Sequence, residues 1–246
     1  MDFSSTQIAF TALIVFVAFV VRGMSGFGSS LVAMPLLALV MPIHTAVPLM
    51  GLLAFVLICC LLMRDWRDVI WREVWLLLVP TLVGVAAGIV LFSSLENRLL
   101  LKCMGVVTIA YALYALAVQT MGLPQVRCSE RWAIAAGFFG SFIDTMFGGG
   151  GGTVIVMYMH MRQIGKVEFR ATAAMLWFFE MVARVLGYTV AGYYNTGMLL
   201  LVALMLPVMW LATWCGERIH SRISQATFSR VLAVLLIAGG VTLLCK

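Results

Sequence analysis

Charge is the scarcest property of this chain. Only 11% of its 246 residues are Asp, Glu, Lys or Arg, against about 25% in an ordinary soluble domain. A solvated globular surface cannot be assembled from so few. Histidine is equally sparse: His44, His160 and His220 are too scattered to form a metal site. The six cysteines, Cys59, Cys60, Cys103, Cys128, Cys215 and Cys245, contain no C-x-x-C spacing, and most fall in apolar runs. They are expected to be small buried hydrophobes, with neither disulfides nor metal ligation. No nucleophile elbow, H-E-x-x-H or P-loop is present. Nothing in the sequence assembles a nucleophile with a base, so an enzyme is the weakest reading, and no cofactor or metal is called for.

What fills the chain instead is apolar: 63% hydrophobic residues and a mean hydropathy of +1.08. Runs approaching the roughly 20 residues needed to cross a bilayer recur along its whole length. The pattern is that of an all-α polytopic membrane protein. The net charge of +6 is carried by short loops, where it acts as a topological signal, so nucleic acid is not an expected partner. Met1 to Thr6 lack the basic segment of a signal peptide, so the first span is expected to be retained, and no soluble domain is expected.

Apolar runs predict spans over Gln7–Val21, Ser29–Met41, Thr45–Met63, Val74–Phe92 and Leu99–Val118, then Trp132–Ile143, Gly152–Met161, Ala171–Val190, Met198–Gly216 and Thr227–Leu244. The polar stretch between them, 119–131, divides a first membrane repeat, 1–118, from a second, 132–246. Superposed, the halves pair Arg22 with Asp144, Gly26 with Gly148, Gly28 with Gly150 and Ser30 with Gly152. Further along, Ala46 falls on Ala171, Gly88 on Gly216 and Lys102 on Arg230. The shared order of glycine break, short span, loop and three further spans predicts an internal repeat. An odd number of crossings per half then requires the second half to be inverted. This holds whether the glycine-broken segments cross fully or form re-entrant hairpins.

Loop charges agree with inversion. With the N-terminus outside, the inside receives Arg64, Arg67, Arg72, Arg127, Arg131, Arg162, Lys166, Arg170, Arg218, Arg222 and Arg230, and the outside only Arg98, Lys102 and Lys246. That is the positive-inside pattern, with both termini outside. Trp66, Trp71, Trp75, Trp132, Trp210 and Trp214 fall near span ends, as interfacial indoles do.

The stretch that most demands an explanation is Phe147-Gly148-Gly149-Gly150-Gly151-Gly152-Thr153, with Arg22 to Ser30 as its weaker counterpart. Consecutive glycines break a helix, since each costs about 1 kcal/mol relative to alanine. Irregular backbone in a bilayer survives only where protein buries it or water lines it. A helix restarting at Thr153 would direct free amides and the positive end of its dipole at a small anion. Short helices in corresponding places of inverted halves mark such a site near the midplane. Substrate-binding candidates are therefore Arg22, Gly26, Gly28, Ser29, Ser30, Gly148, Gly149, Gly150, Gly151, Gly152, Thr153, Trp177 and Arg184. Asp144 and Glu180 are candidates for proton coupling or ion pairing. Glu180 and Arg184 are spaced i,i+4 with the acid first, a natural helical pair. Buried charges each cost about 2.5–3.5 kcal/mol on insertion scales, so four of them require a use. The blander alternative makes the glycines packing contacts and the charges structural pairs.

The residues Gly26-Phe27-Gly28-Ser29-Ser30-Leu31-Val32-Ala33-Met34-Pro35-Leu36, the glycine run through Val156, and Arg170-Ala171-Thr172-Ala173-Ala174 resemble the sulfite exporter TauE/SafE family, also called the 4-toluene sulfonate uptake permease family. The resemblance covers nearly the whole chain. It implies a secondary transporter, exporter or permease, of sulfite, sulfonates, sulfoacetate or related anions in the inner membrane, working by alternating access. Two departures, serines at Ser29 and Ser30 where glycines are frequent and Met157 where a proline like Pro35 is, point to an asymmetric site. The competing expectation is a cation or metal-ion transporter or channel using the two carboxylates. Expected partners are a small anion and the lipid bilayer; oligomerisation is left open.

Overall fold

A computed structural model describes residues 4–25, 28–121, 128–219 and 236–244. It is helical, with no strand among the described residues. In order the helices are α1 (Ser5–Ser25), α2 (Ser29–Val40), α3 (Ile43–Asp65), α4 (Trp71–Ser94), α5 (Asn97–Met121), α6 (Trp132–Phe147), α7 (Gly152–Met161), α8 (Lys166–Val190) and α9 (Thr196–Ile219). Residues 236–244 are helical as well. The expected spans match these helices within a turn at most ends. Half of the last one, Thr227–Leu244, lies outside the described residues, as do Gly26 and residues 122–127 of the polar connector.

Five of the described helices are long and apolar enough to cross a membrane: Ser5–Met24, Ile43–Cys60, Trp71–Ser94, Val167–Val190 and Thr196–Arg218. Their outward faces carry large hydrophobic side chains; Val90 and Val190 are 67% and 89% exposed. Such a surface is stable only against lipid, so this is a polytopic integral membrane protein. Prolines inside α2, α3, α4 and α9 (Pro35, Pro48, Pro80 and Pro207) are tolerated there because neighbouring helices and local adjustments re-satisfy the freed carbonyls.

The chain divides into two compact units. Unit 1 comprises Met1–Met50, Leu95–Leu123 and Tyr193–Lys246; unit 2 comprises Gly51–Ser94 and Pro124–Gly192. Each therefore draws helices from both halves of the sequence. In unit 1, α1 packs along α9 and against α2, and α2 meets α5. Leu31, Ala112 and Leu236 form a small core there. In unit 2, α4 packs along α6 and α8, and α6 against α7. Its core is Leu77, Ala133, Ala136, Ile155, Tyr158, Met159, Ala173 and Leu176.

Small residues set the helix spacing in both units, as they do generally where lipid provides no hydrophobic drive between helices. A methyl group on Gly88 of α4 would come within 2.8 Å of Thr145 Cβ, and one on Gly84 would overlap Ser141 and the Phe138 carbonyl on α6. In unit 1 a methyl on Gly216 of α9 would collide with the Val20 carbonyl and Gly23 of α1.

The α6–α7 pair is a hairpin. The Cys128 amide, just before α6, donates to the Met161 carbonyl at the end of α7 at 3.3 Å, so the outer ends of the two helices lie side by side. Between them α7 runs back along α6, Ile155 facing Gly140. A charged network ties down these outer ends. Buried Glu73 accepts hydrogen bonds from Tyr158 Oη at 2.8 Å and from Arg162 Nε and Nη2 at 3.1 and 2.9 Å. Arg162 also reaches Glu130 at 3.1 Å, which pairs in turn with Arg72 at 2.8 Å.

Candidate anion site at the glycine break

The glycine run forms the tip of the α6–α7 hairpin. Helix α6 ends after Phe147 because Gly148 turns to a left-handed conformation, φ 72°, with its amide donating to the Asp144 carbonyl. Gly150, φ 101°, completes the reversal. Both positions lie where a side chain is strained and glycine is not. Gly151 answers a different need. A methyl there would overlap the Gly140 carbonyl oxygen, so close approach of the two helices, and not freedom of φ, requires it. The packing explanation of the glycines thus holds at Gly151, beside a genuine break at Gly148 and Gly150.

The sequence alone suggests free amides at this break; in the structure several are engaged. The Gly151 amide donates to Asp144 Oδ1 at 2.9 Å. Asp144 reaches across the turn from the last α6 turn, and its carboxylate caps the positive end of α7, an arrangement favoured by the helix dipole. Oδ2 lies 3.3 Å from the position a Gly152 Cβ would take. The Val154 amide is already bonded to the Gly151 carbonyl at 2.9 Å, and that of Thr153 reaches the Gly150 carbonyl at 3.4 Å. Gly149, Gly150, Gly152 and Thr153 are partly exposed.

Helix α8 supplies the rest of the site. Trp177 brings its indole to Gly152, with Cζ2 and Nε1 3.5 and 3.6 Å from the Cβ position there. One and two turns further on lie Glu180, fully buried, and Arg184, 2% exposed, with Nη1 to Oε1 at 3.7 Å. Both interact electrostatically with Asp144. Glu180 sits 14 residues beyond Lys166, about 21 Å of helical rise, so the cluster is deep within the span. Its polar atoms are incompletely satisfied: neither Glu180 oxygen and not the Arg184 Nε has a hydrogen bond. Buried charges without such bonds are costly and are retained where they are used. Tyr188, also buried, closes the site by donating from its hydroxyl to the Thr145 carbonyl at 2.6 Å.

Asp144, Gly148 to Gly152, Trp177, Glu180 and Arg184 therefore share one locality in unit 2. Gly28, Ser29 and Ser30 belong to unit 1, where Gly28 is left-handed, φ 89°, at the start of α2 and Ser29 is buried. Arg22 lies in the last turn of α1, and no described residue forms an ion pair with it. Tyr188, Thr145, Glu73 and Tyr158 are structurally prominent, yet sequence reasoning passes over them, because uncharged or helix-end residues carry no signal of burial. A cavity of about 430 Å³ lies along α6 and α7. Trp132, Phe139, Val154, Met157 and Met161 line it, and it includes none of the ionisable cluster.

Comparison with known proteins points in one direction. The family model for sulfite exporter TauE/SafE matches residues 11–243. The probable sulfite/organosulfonate exporter TauE of Cupriavidus necator is 25% identical over 206 residues, which cover 82% of this chain and 79% of that protein. No solved structure matches the chain.

Proposed function

Because the chain belongs to the sulfite exporter TauE/SafE family, we propose that it is a secondary transporter of small sulfur-containing or organic anions such as sulfite, sulfonates or sulfoacetate. It works by alternating access around a deep site in a bacterial cytoplasmic membrane. The observation that carries this reading is the restart of α7 beside a buried, incompletely satisfied cluster of Asp144, Glu180 and Arg184. Backbone amides, the end of a helix dipole, an indole N–H and a guanidinium converge there, which are the donors an oxyanion needs. Arg184 offers the fixed positive charge, Trp177 and the Gly151 and Gly152 amides at which Asp144 is aimed the orienting hydrogen bonds, and Asp144 or Glu180 the proton.

Two helix contacts support the repeat on which alternating access depends. Gly88 packs on Phe142 and Thr145 within unit 2, and Gly216 on Val20 and Gly23 within unit 1. Under the superposition of the two halves Gly88 corresponds to Gly216, Phe142 to Val20 and Thr145 to Gly23. Positions paired by the superposition thus make like contacts, as a repeat would require. The halves, 1–118 and 132–246, are on this reading inverted copies, with both termini outside.

Flux into vesicles reconstituted with the purified protein tests the function. Saturable uptake of radiolabelled sulfite, accelerated by sulfonate on the far side and inhibited by sulfonates, is the expected result. Uptake inhibited by divalent cations and indifferent to sulfonates would instead support a cation pathway through the carboxylates. Within the site, E180Q/R184Q removes both members of the pair, so the fold is not left with an unmatched buried acid at position 180. It should insert normally and lose anion affinity; unchanged affinity would remove Arg184 from the site.

A further inference from the structure

We propose that Asp144 is a tethered stand-in for the transported anion: its carboxylate holds the amide end of α7, and substrate gains that end only when Asp144 is protonated. This rests on the anion-transport reading above and specifies how its site is coupled to protons.

The geometry of one carboxylate leads to it. Asp144 Oδ1 accepts the Gly151 amide at 2.9 Å, and Oδ2 faces Gly152. A sulfonate or sulfite oxygen seeking the same amides would stand against an ionised carboxylate in a site shielded from water, where like charges repel strongly. The groups facing Asp144 set the balance of charge. From α8 these are Glu180, with two buried oxygens lacking any hydrogen bond, Arg184, with an unbonded Nε, and Tyr188, whose hydroxyl is taken by the Thr145 carbonyl. The first turns of α7 carry no ionisable residue. Helix α4 offers Gly88 at this level, its Glu73 being engaged at the outer end of the hairpin by Tyr158 and Arg162. The site thus holds two acids and one base. Adding a monoanion while both acids are ionised leaves three negative charges against one positive; taking up one proton with the anion keeps the sum unchanged. The unpartnered atoms of Glu180 and Arg184, both more than nine-tenths buried, are where the displaced Asp144 carboxyl and the arriving oxyanion find new partners.

Reciprocal linkage makes this measurable. Methanesulfonate is a suitable probe, since its own charge is constant between about pH 5 and 9. Binding of radiolabelled methanesulfonate to the purified full-length protein should weaken by up to tenfold per pH unit on the alkaline side. In D144N, whose amide oxygen still accepts the Gly151 N–H, affinity should be flat with pH and close to that of the wild type at acid pH. Should D144N not fold, the wild type alone still decides: adding methanesulfonate in weak buffer at alkaline pH should take up close to one proton per anion bound. Retention of the wild-type slope by D144N, or binding without proton uptake, overturns the proposal while leaving the anion-transport reading intact. Absence of methanesulfonate and sulfite binding at every pH, in both proteins, overturns both.

Discussion

Replacing Gly151 with alanine puts a methyl group where the Gly140 carbonyl oxygen already lies. Both atoms belong to the backbone framework of the hairpin, so no side chain can turn aside; α7 must move away from α6. Such overpacking costs about 1–3 kcal/mol. The shift also lengthens the 2.9 Å bond from the Gly151 amide to Asp144, and loss of a hydrogen bond to a charged group adds about 1.5–3 kcal/mol. Together these give about 2.5–6 kcal/mol, which at about 2–4 °C per kcal/mol for a chain of this size lowers the melting temperature by at least 5 °C. Gly152→Ala is the informative contrast. Its methyl would meet only the ends of two side chains, Asp144 at 3.3 Å and Trp177 at 3.5 Å, so stability should change by less than about 1 kcal/mol while anion affinity falls. Thermal unfolding in detergent, followed by flux in vesicles, separates the two. If G151A melts with the wild type, or if G152A is the less stable of the pair, the hairpin contact does not have the role assigned to it.

Other expectations come from the same geometry. Glu73→Gln weakens the acceptor shared by Tyr158 and Arg162 and should cost about 1.5–3 kcal/mol, seen as a lower melting temperature with unchanged anion affinity. Gly150→Val, at φ 101°, should abolish uptake while the protein still inserts, which vesicle flux and membrane fractionation check together. A phosphatase reporter at the C-terminus should be active and one in the Arg64–Arg72 loop inactive; the reverse would overturn the assigned orientation. Cys128 sits in the loop before α6, where burial pushes its thiol above the ordinary range. Its alkylation by a maleimide should therefore keep accelerating with pH after that of an exposed thiol has levelled off.

Much of this architecture is legible in the residues. Apolar run length gives the helices because lipid demands continuous hydrogen-bonded spans, and α6 ends and α7 begins where the glycines dictate. The i,i+4 spacing of Glu180 and Arg184 yields their pairing directly. What escapes is whatever depends on a partner distant in sequence. Glu73 meets Tyr158 and Arg162 across more than 80 residues, and nothing local in Trp-Arg-Glu-Val-Trp announces it. The hairpin course of α6 and α7 rests on the Cys128–Met161 bond and the Gly140–Gly151 approach, neither of which a hydropathy pattern encodes. Asp144 has a locally readable charge, but its use as the cap of the next helix needs the actual turn of Gly148 to Gly151, since residues seven apart in a continuous helix lie two turns, about 10.5 Å, from one another. The counterpart in unit 1 is legible as sequence, with Gly26 outside the described residues.

The seat of the anion is tested most directly by chemical protection. In a cysteine-free background, Thr153→Cys places one thiol in the first turn of α7, where it should react with a negatively charged sulfonate-bearing thiosulfonate reagent. Saturating methanesulfonate should slow that reaction at least tenfold and leave a cysteine at exposed Gln163 reacting at its usual rate. Undiminished labelling of T153C in a variant that still transports sulfonate would place the substrate elsewhere.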